Sequence, residues 1–234
     1  GYRIVNNVFS NNTGANLTIF GGVGVQVVAG NRMDGGGMTG YGILIQNTNR
    51  GAVISNNKIK SHTTHGMDIQ NYYISNYIVG NEIFSNTFGG INFQPSARGK
   101  SSRIIRNRIH RNSGNGILLD ASTNLVVANN VAFGNGGRGF EMRAGLSNRF
   151  LNNIAMSNAA GFTNWASATG TTWSYNDSFG QAPNIGTAAA LAASNGNISA
   201  DPMFSNAATG RFRVRTNTSP VLDAGTTNGL TAYD

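Results

Sequence analysis

Residues able to donate, accept or shuttle protons are scarce in this chain: nine Asp and Glu, three His and no Cys among 234 residues. Several of them recur in one setting, Gly-(apolar)-x-(apolar)-x. Its copies are Gly42-Ile43-Leu44-Ile45, Gly66-Met67-Asp68-Ile69, Gly90-Ile91-Asn92-Phe93, Gly116-Ile117-Leu118-Leu119 and Gly139-Phe140-Glu141-Met142, fading at Gly161-Phe162-Thr163-Asn164. Alternate residues of an extended segment share a face. The apolar positions therefore point inward, and the second and fourth residues after Gly point out. The second-position column reads Leu44, Asp68, Asn92, Leu118, Glu141 and Thr163; the fourth reads Gln46, Gln70, Gln94, Asp120, Arg143 and Trp165. Stacked about 4.8 Å apart, they form an outward ribbon of amides, carboxylates, one Arg and one Trp. Such a ribbon suits the hydroxyls and ring faces of sugars. It equally suits a solvated ladder that stabilises a sheet.

The elements that position this ribbon follow from a second repeat. Asn-x-(aliphatic) recurs at Asn6, Asn31, Asn57, Asn81, Asn107, Asn129 and Asn152 and degenerates at Asn176, each some two dozen positions after the one before. Each Gly signature follows its Asn at a nearly constant offset. Every repeat holds apolar pieces of only a few alternating residues, too short for helices. A unit of this length, punctuated by Gly and Asn, matches one turn of a parallel β-helix, whose coils bury their apolar faces only by stacking. Ankyrin-like or leucine-rich arrays need amphipathic helical stretches that the repeats lack. The expected fold is all-β: a single-stranded right-handed parallel β-helix of about eight coils over residues 1–180. Asn tolerates left-handed bends, and a stacked amide can also bond to the coils above and below. Residues 181–234 read as a C-terminal capping segment, with a short Ala-rich helix over Thr187–Ser194.

Composition narrows the function classes. The formal charge is +8, from 17 Lys and Arg of which 14 are Arg, and a basic surface attracts polyanions. The cations are spread over many coils and form no finger, RNP or helical basic region, so nucleic acid is not the expected partner. No apolar run approaches a membrane span, and no signal-peptide pattern opens the chain. Gly1-Tyr2-Arg3-Ile4 already reads as a strand edge, an N-terminal coil able to stack on another chain or on upstream coils. A further outward patch places Arg32, Lys58, Glu82 and Arg108 beside Asp34, Lys60, Phe84 and His110. It reads as surface pairs worth little individually.

The Asn-x-Ile and Gly-Ile-x-Leu pairing resembles the repeats of the pectate-lyase-like right-handed parallel β-helix superfamily, over roughly residues 2–180. The segment Asp201-Pro202-Met203-Phe204 to Ser219-Pro220-Val221-Leu222-Asp223-Ala224-Gly225 is similar to the closing segment of secreted bacterial β-helix proteins. The resemblance implies an extracellular, bacterial, carbohydrate-active protein, polysaccharide lyase-like and acting on an acidic (uronate) polysaccharide. A lyase needs a base for the proton α to the carboxylate and a cation to neutralise that carboxylate. Asp68, Glu141, Arg143 and His65 are the candidate catalytic residues, with His65 or Arg143 as base. Gln46, Gln70, Asn92, Gln94, Asp120 and Trp165 are the candidate substrate contacts. Calcium serves some members, held by clustered Asp; here no metal ligand is assigned. One branch of the superfamily carries paired acids before the Gly and a Lys two residues after a later one. This chain has only Asp68 and, in the Lys position, Glu141, and it lacks an Asp-Pro-His-Asp motif. Hydrolysis needs carboxylates across the cleaved bond, and Asp68 and Asp120 stand roughly 10 Å apart by coil spacing. His62 and His65 have a spacing that could suit a metal, but read better as loop polarity with His65 paired to Asp68. Trp165 and Trp173 read equally as packing or as sugar platforms. The alternative is a non-catalytic β-helix: a glycan-binding, adhesin, tailspike or filament segment.

Overall fold

The computed structural model describes residues 1–22, 26–38, 40–70, 73–94, 100–181, 195–214 and 218–227. Three parallel sheets wrap one core, each coil giving one short strand to each. The first sheet stacks eight strands from Arg3–Val5 to Thr172–Ser174, and the second eight from Val8–Ser10 to Asp177–Phe179. The third runs from Leu17–Gly22 to Ala160–Asn164. Fourth-coil strands Tyr77–Val79, Glu82–Phe84 and Ile91–Phe93 show the pattern.

Register is unbroken through the core columns, so like residues stack. The first sheet sends Val28, Ile54, Ile78, Ile104, Val127, Phe150 and Trp173 inward as one column. The second sends Met33, Ile59, Ile83, Ile109, Ala132 and Ala155. Where the second column shrinks to alanine, the others swell to Phe140, Phe150, Phe162 and Trp173, holding interior volume constant. Phe140 and Phe162 stack at 4.8 Å, one coil rise. The repeated Gly has a steric cause. A Cβ at Gly90 would stand 2.2 Å from Ile109 Cγ2 and 2.6 Å from the Gly116 carbonyl oxygen.

The asparagines divide their two expected roles between neighbouring positions. The ladder starts at exposed Asn7 and runs buried through Asn31, Asn57, Asn81, Asn107, Asn130, Asn153, Asn176 and Asn197. From Asn31 on, each Oδ1 accepts from both the backbone N–H and the Nδ2 of the ladder asparagine in the coil before. Asn81 Oδ1, for example, accepts from Asn57 N at 2.9 Å and Asn57 Nδ2 at 3.0 Å. The expected members Asn6, Asn129 and Asn152 instead sit one residue earlier with φ of +58°, +57° and +53°, making the left-handed bend. The register of the motif slips by one residue in those three coils, because a pair of adjacent asparagines offers two choices.

A second ladder, a few residues further along each coil, runs His62, Asn86, Asn112, Asn135, Asn158 and Gln181. The coil before His62 holds Gly35 at this level, where a Cβ would meet His62 Cδ2 at 2.8 Å. The imidazole reaches past it: Nδ1 donates to Asn86 Oδ1 at 3.0 Å, and Nε2 accepts from Asn16 Nδ2 at 2.8 Å. Both ring nitrogens are thus spent on side-chain amides, which removes His62 from any metal reading.

Asn197 and Ile198 continue the last coil, Ile198 bridging to Asp177. The chain then runs back along the second sheet as an antiparallel hairpin, Phe204–Asn206 with Arg211–Val214, joined by the turn Ala207–Thr209. Phe212 packs against His110 and Phe133 at 5.4 and 5.7 Å between centroids. Arg111 donates to the Ala208 carbonyl. The Ala-rich stretch Thr187–Ser194 lies outside the described residues.

Candidate functional site

The outward columns of the third sheet place the sequence-derived candidates side by side, with one correction. Asp68 and Glu141 point away from the core yet have no exposed surface, and Asn92 is nearly as buried. The alternation of a strand fixes direction; the fourth-position side chains then fold across and cover them.

Asp68 is saturated by amides. Oδ1 accepts from Asn92 Nδ2 at 2.6 Å, and Oδ2 from Gln70 Nε2 and Gln94 Nε2 at 2.7 Å each. Gln46 extends the chain by donating to Gln70 Oε1 at 3.0 Å. The expected hydrogen bond between His65 and Asp68 is not formed; the carboxylate accepts from three amides instead. His65 instead lies in an aromatic stack, 6.4 Å from Tyr41 and 5.7 Å from Phe88. Burial lowers its pKa, opposed by the charge of Asp68, so the ring is neutral at neutral pH. Its Nδ1 is buried without a hydrogen-bond partner among the described residues.

Glu141 anchors the other end. It accepts from Asn115 Nδ2 at 2.5 Å, Trp165 Nε1 at 2.8 Å and Arg143 Nε at 3.1 Å, with Arg138 at 3.5 Å. Arg138 also lies over the Trp165 ring at 5.8 Å. The carboxylate holds Arg143 by one edge while that side chain stays 46% exposed. Trp165 is 45% exposed, whereas Trp173 stacks on Phe150 at 3.8 Å inside the core. Asp120 stands beside Arg143; burial lifts its pKa, Arg143 opposes the rise and Glu141 adds to it.

Between these two anchored carboxylates lies a cleft of about 220 Å³ lined by His65, Phe88, Asn92, Asn115, Leu118 and Arg143, among others. It is smaller than the roughly 300–1,000 Å³ of drug-sized pockets, on the scale of one sugar ring. Asp68 and Glu141 occupy the same column three coils apart, about 14 Å at strand spacing. That exceeds either separation used by paired-carboxylate glycosidases, about 5–5.5 or 6.5–9.5 Å. Among the described residues no three His, Asp or Glu converge as a metal site. Asp68 is held by three amides and no cluster of acids forms around it among the described residues, so the donor set does not fit a calcium centre.

Sequence reasoning singled out His65 but not the rest of the column just before each Gly: Tyr41, Gly89, Asn115 and Arg138. Its signal was the constant offset from the same Gly. The second Asn ladder was readable likewise, from its fixed distance past the first.

A family model for the right-handed β-helix region matches residues 28–179. Among solved structures, the periplasmic alginate epimerase AlgG is similar at 16% identity over 84% of this chain and 48% of its own, with a TM-score of 0.69. Pectate lyase Pel9A aligns at 18% identity over 90% of this chain and 74% of its own, with a TM-score of 0.47. The Dettilon tailspike protein does so at 15% over 85% and 61%, with a TM-score of 0.49. At 16% identity the likeness to AlgG is one of fold, and this chain spans about half the length of AlgG. No curated protein matches the chain. The stacked parallel coils and the family match agree: the chain belongs to the right-handed β-helix family.

Proposed function

We propose that the third face takes an acidic polysaccharide and that its cleft performs lyase-like chemistry on a uronate unit. The observation that carries this reading is the lining of one cleft by a neutral imidazole, His65, and a half-exposed guanidinium, Arg143. His65 takes the proton on the carbon α to the sugar carboxylate. Arg143 meets that carboxylate and stabilises the negative charge it gains. The electron pair then expels the glycosidic oxygen on the carbon β to the carboxylate, which leaves as a hydroxyl by taking the proton back from the His65 imidazolium or from water, and a C=C bond remains in the sugar. Asp68 and Glu141 act at one remove: Asp68 orients Asn92, Gln70 and Gln94, and Glu141 orients Arg143, Asn115 and Trp165. Gln46, Gln70, Gln94, Asp120 and Trp165 extend the surface along the polymer. A secreted, extracellular setting in a bacterium belongs to the same proposal, supported by the polymeric nature of the ligand.

The test is unsaturated-product absorbance on pectate, alginate and related uronans, for the wild type and for His65→Ala, Arg143→Ala, Glu141→Gln and Asp68→Asn. Product formation that falls by about 100-fold or more in His65→Ala supports the mechanism. No product on any uronan, or equal rates in wild type and His65→Ala, removes it. A second reading, non-catalytic glycan binding, is favoured by the commitment of both carboxylates to neighbouring side chains. Binding without turnover would select it.

A further inference from the structure

We propose a second polyanion site on the opposite flank, in the groove between the C-terminal hairpin and the second sheet, for the uronate-bearing polymer at a distance from the cleft. This open groove of about 590 Å³ is lined by Arg108, Ser205, Gly210, Arg211, Phe212 and Arg213. The strand Arg211–Val214 alternates exposed and half-buried residues. Phe212 turns in to the His110, Phe133 and Phe204 cluster, so Arg211 and Arg213 project together, about 7 Å apart along the strand. Arg108 faces them from the fifth coil and is also exposed.

Three guanidinium groups on one groove call for acids, and among the described residues only Glu82 stands close enough to feel one of them, Arg108. All Asp and Glu of the chain except Asp234 are among those residues. None of these forms an ion pair with Arg108, Arg211 or Arg213. Glu82 lies nearest to Arg108, but its oxygens are held by Lys58 and His110 at 3.3 Å each. The planar fork of Arg matches carboxylates in bidentate fashion. Single-stranded nucleic acid would want an exposed ring for base stacking, and Phe212, the aromatic residue of the groove, is committed to packing. The polymer's identity rests on the polyuronate reading of the cleft; the groove and its unmatched charge do not.

The experiment is affinity electrophoresis of the whole chain through gels carrying polygalacturonate or alginate, with neutral dextran and duplex DNA as comparison matrices. Arg211→Gln with Arg213→Gln leaves Phe212 and its packing in place. We expect this double variant to bind the polyuronates at least about tenfold more weakly, while Arg3→Gln, which removes an exposed cation of the first sheet outside both sites, stays within about threefold of wild type. Polyuronate binding by the double variant within twofold of wild type overturns the proposal. So does equal retention by DNA, which would assign the groove to nucleic acid or to unselective charge. Because binding is read and not turnover, an inert cleft leaves the result interpretable.

Discussion

Replacing Asn81 with Ala should expose how much of the solenoid's stability resides in its amide ladder. Asn81 Oδ1 accepts from Asn57 N and Asn57 Nδ2, and Asn81 Nδ2 donates to the Ile54 carbonyl and to Asn107 Oδ1, all within 2.9–3.0 Å and away from solvent. Removing the amide orphans two buried donors of Asn57 and one acceptor at Ile54. Each orphan costs about 1–3 kcal/mol, and part of that relaxes, so the variant should lose about 3–5 kcal/mol. Asn7 provides the internal control. It is exposed, its Nδ2 donates to Val5 O and Asn31 Oδ1, and no described donor depends on it. Asn7→Ala should cost less than about 1 kcal/mol. Equilibrium urea unfolding, followed by far-ultraviolet circular dichroism and by tryptophan fluorescence, measures both. Coincident transitions establish that one free energy is meaningful for a stacked repeat. Should Asn81→Ala and Asn7→Ala destabilise to within about 1 kcal/mol of each other, the ladder argument is wrong.

Two further predictions concern pH. Asp177 is buried with Oδ2 unpartnered, and burial lifts its pKa from 3.8 to about 6 against hydrogen bonds from Ala200 and Ser178. Its stabilising contribution is therefore complete below pH 3.8 and lost as pH rises through about 6. Asp177→Asn should raise stability at pH 7 by about 2 kcal/mol, after allowance for residual screening, and leave it unchanged near pH 3.5. A variant no more stable than wild type at pH 7 would contradict this. His62 behaves oppositely: burial lowers its pKa, with Asn86 and Asp34 opposing. Its contribution is present above the ordinary histidine value near 6.5 and is lost as pH falls through the folded value. His62→Asn should flatten the decline in urea midpoint between pH 7 and pH 5; parallel declines would refute the neutral-ring assignment.

The fold was legible because stacking in register imposes one period on every column, and Ile59, Ile83 and Ile109 repeat it coil after coil. What escaped was local. Paired asparagines such as Asn129-Asn130 hide which one bends the chain and which one joins the ladder, since both conformations suit the residue. The candidate residues did converge on one face, with Asp68, Asn92, Leu118 and Glu141 in a single column. Their burial was not readable, because strand alternation says which side of the backbone a side chain leaves, and nothing of what lies across it. The glutamines that cover Asp68, Gln70 and Gln94, come from successive coils and are laterally offset, so only coordinates show them closing over the carboxylate. The hairpin over the second sheet was equally invisible: its partners His110 and Phe133 stand several coils upstream of Phe212 and follow no repeat with it.

Deuterium uptake by the polymer tests the chemistry most directly, because elimination and epimerisation both begin by removing the proton α to the carboxylate. Polyuronate incubated with the protein in D₂O should gain deuterium at that carbon or yield unsaturated ends. Arg143→Ala should slow this and His65→Ala should abolish it. Neither uptake nor unsaturation with wild type, or uptake unaltered in His65→Ala, would contradict the assignment of His65 as the base.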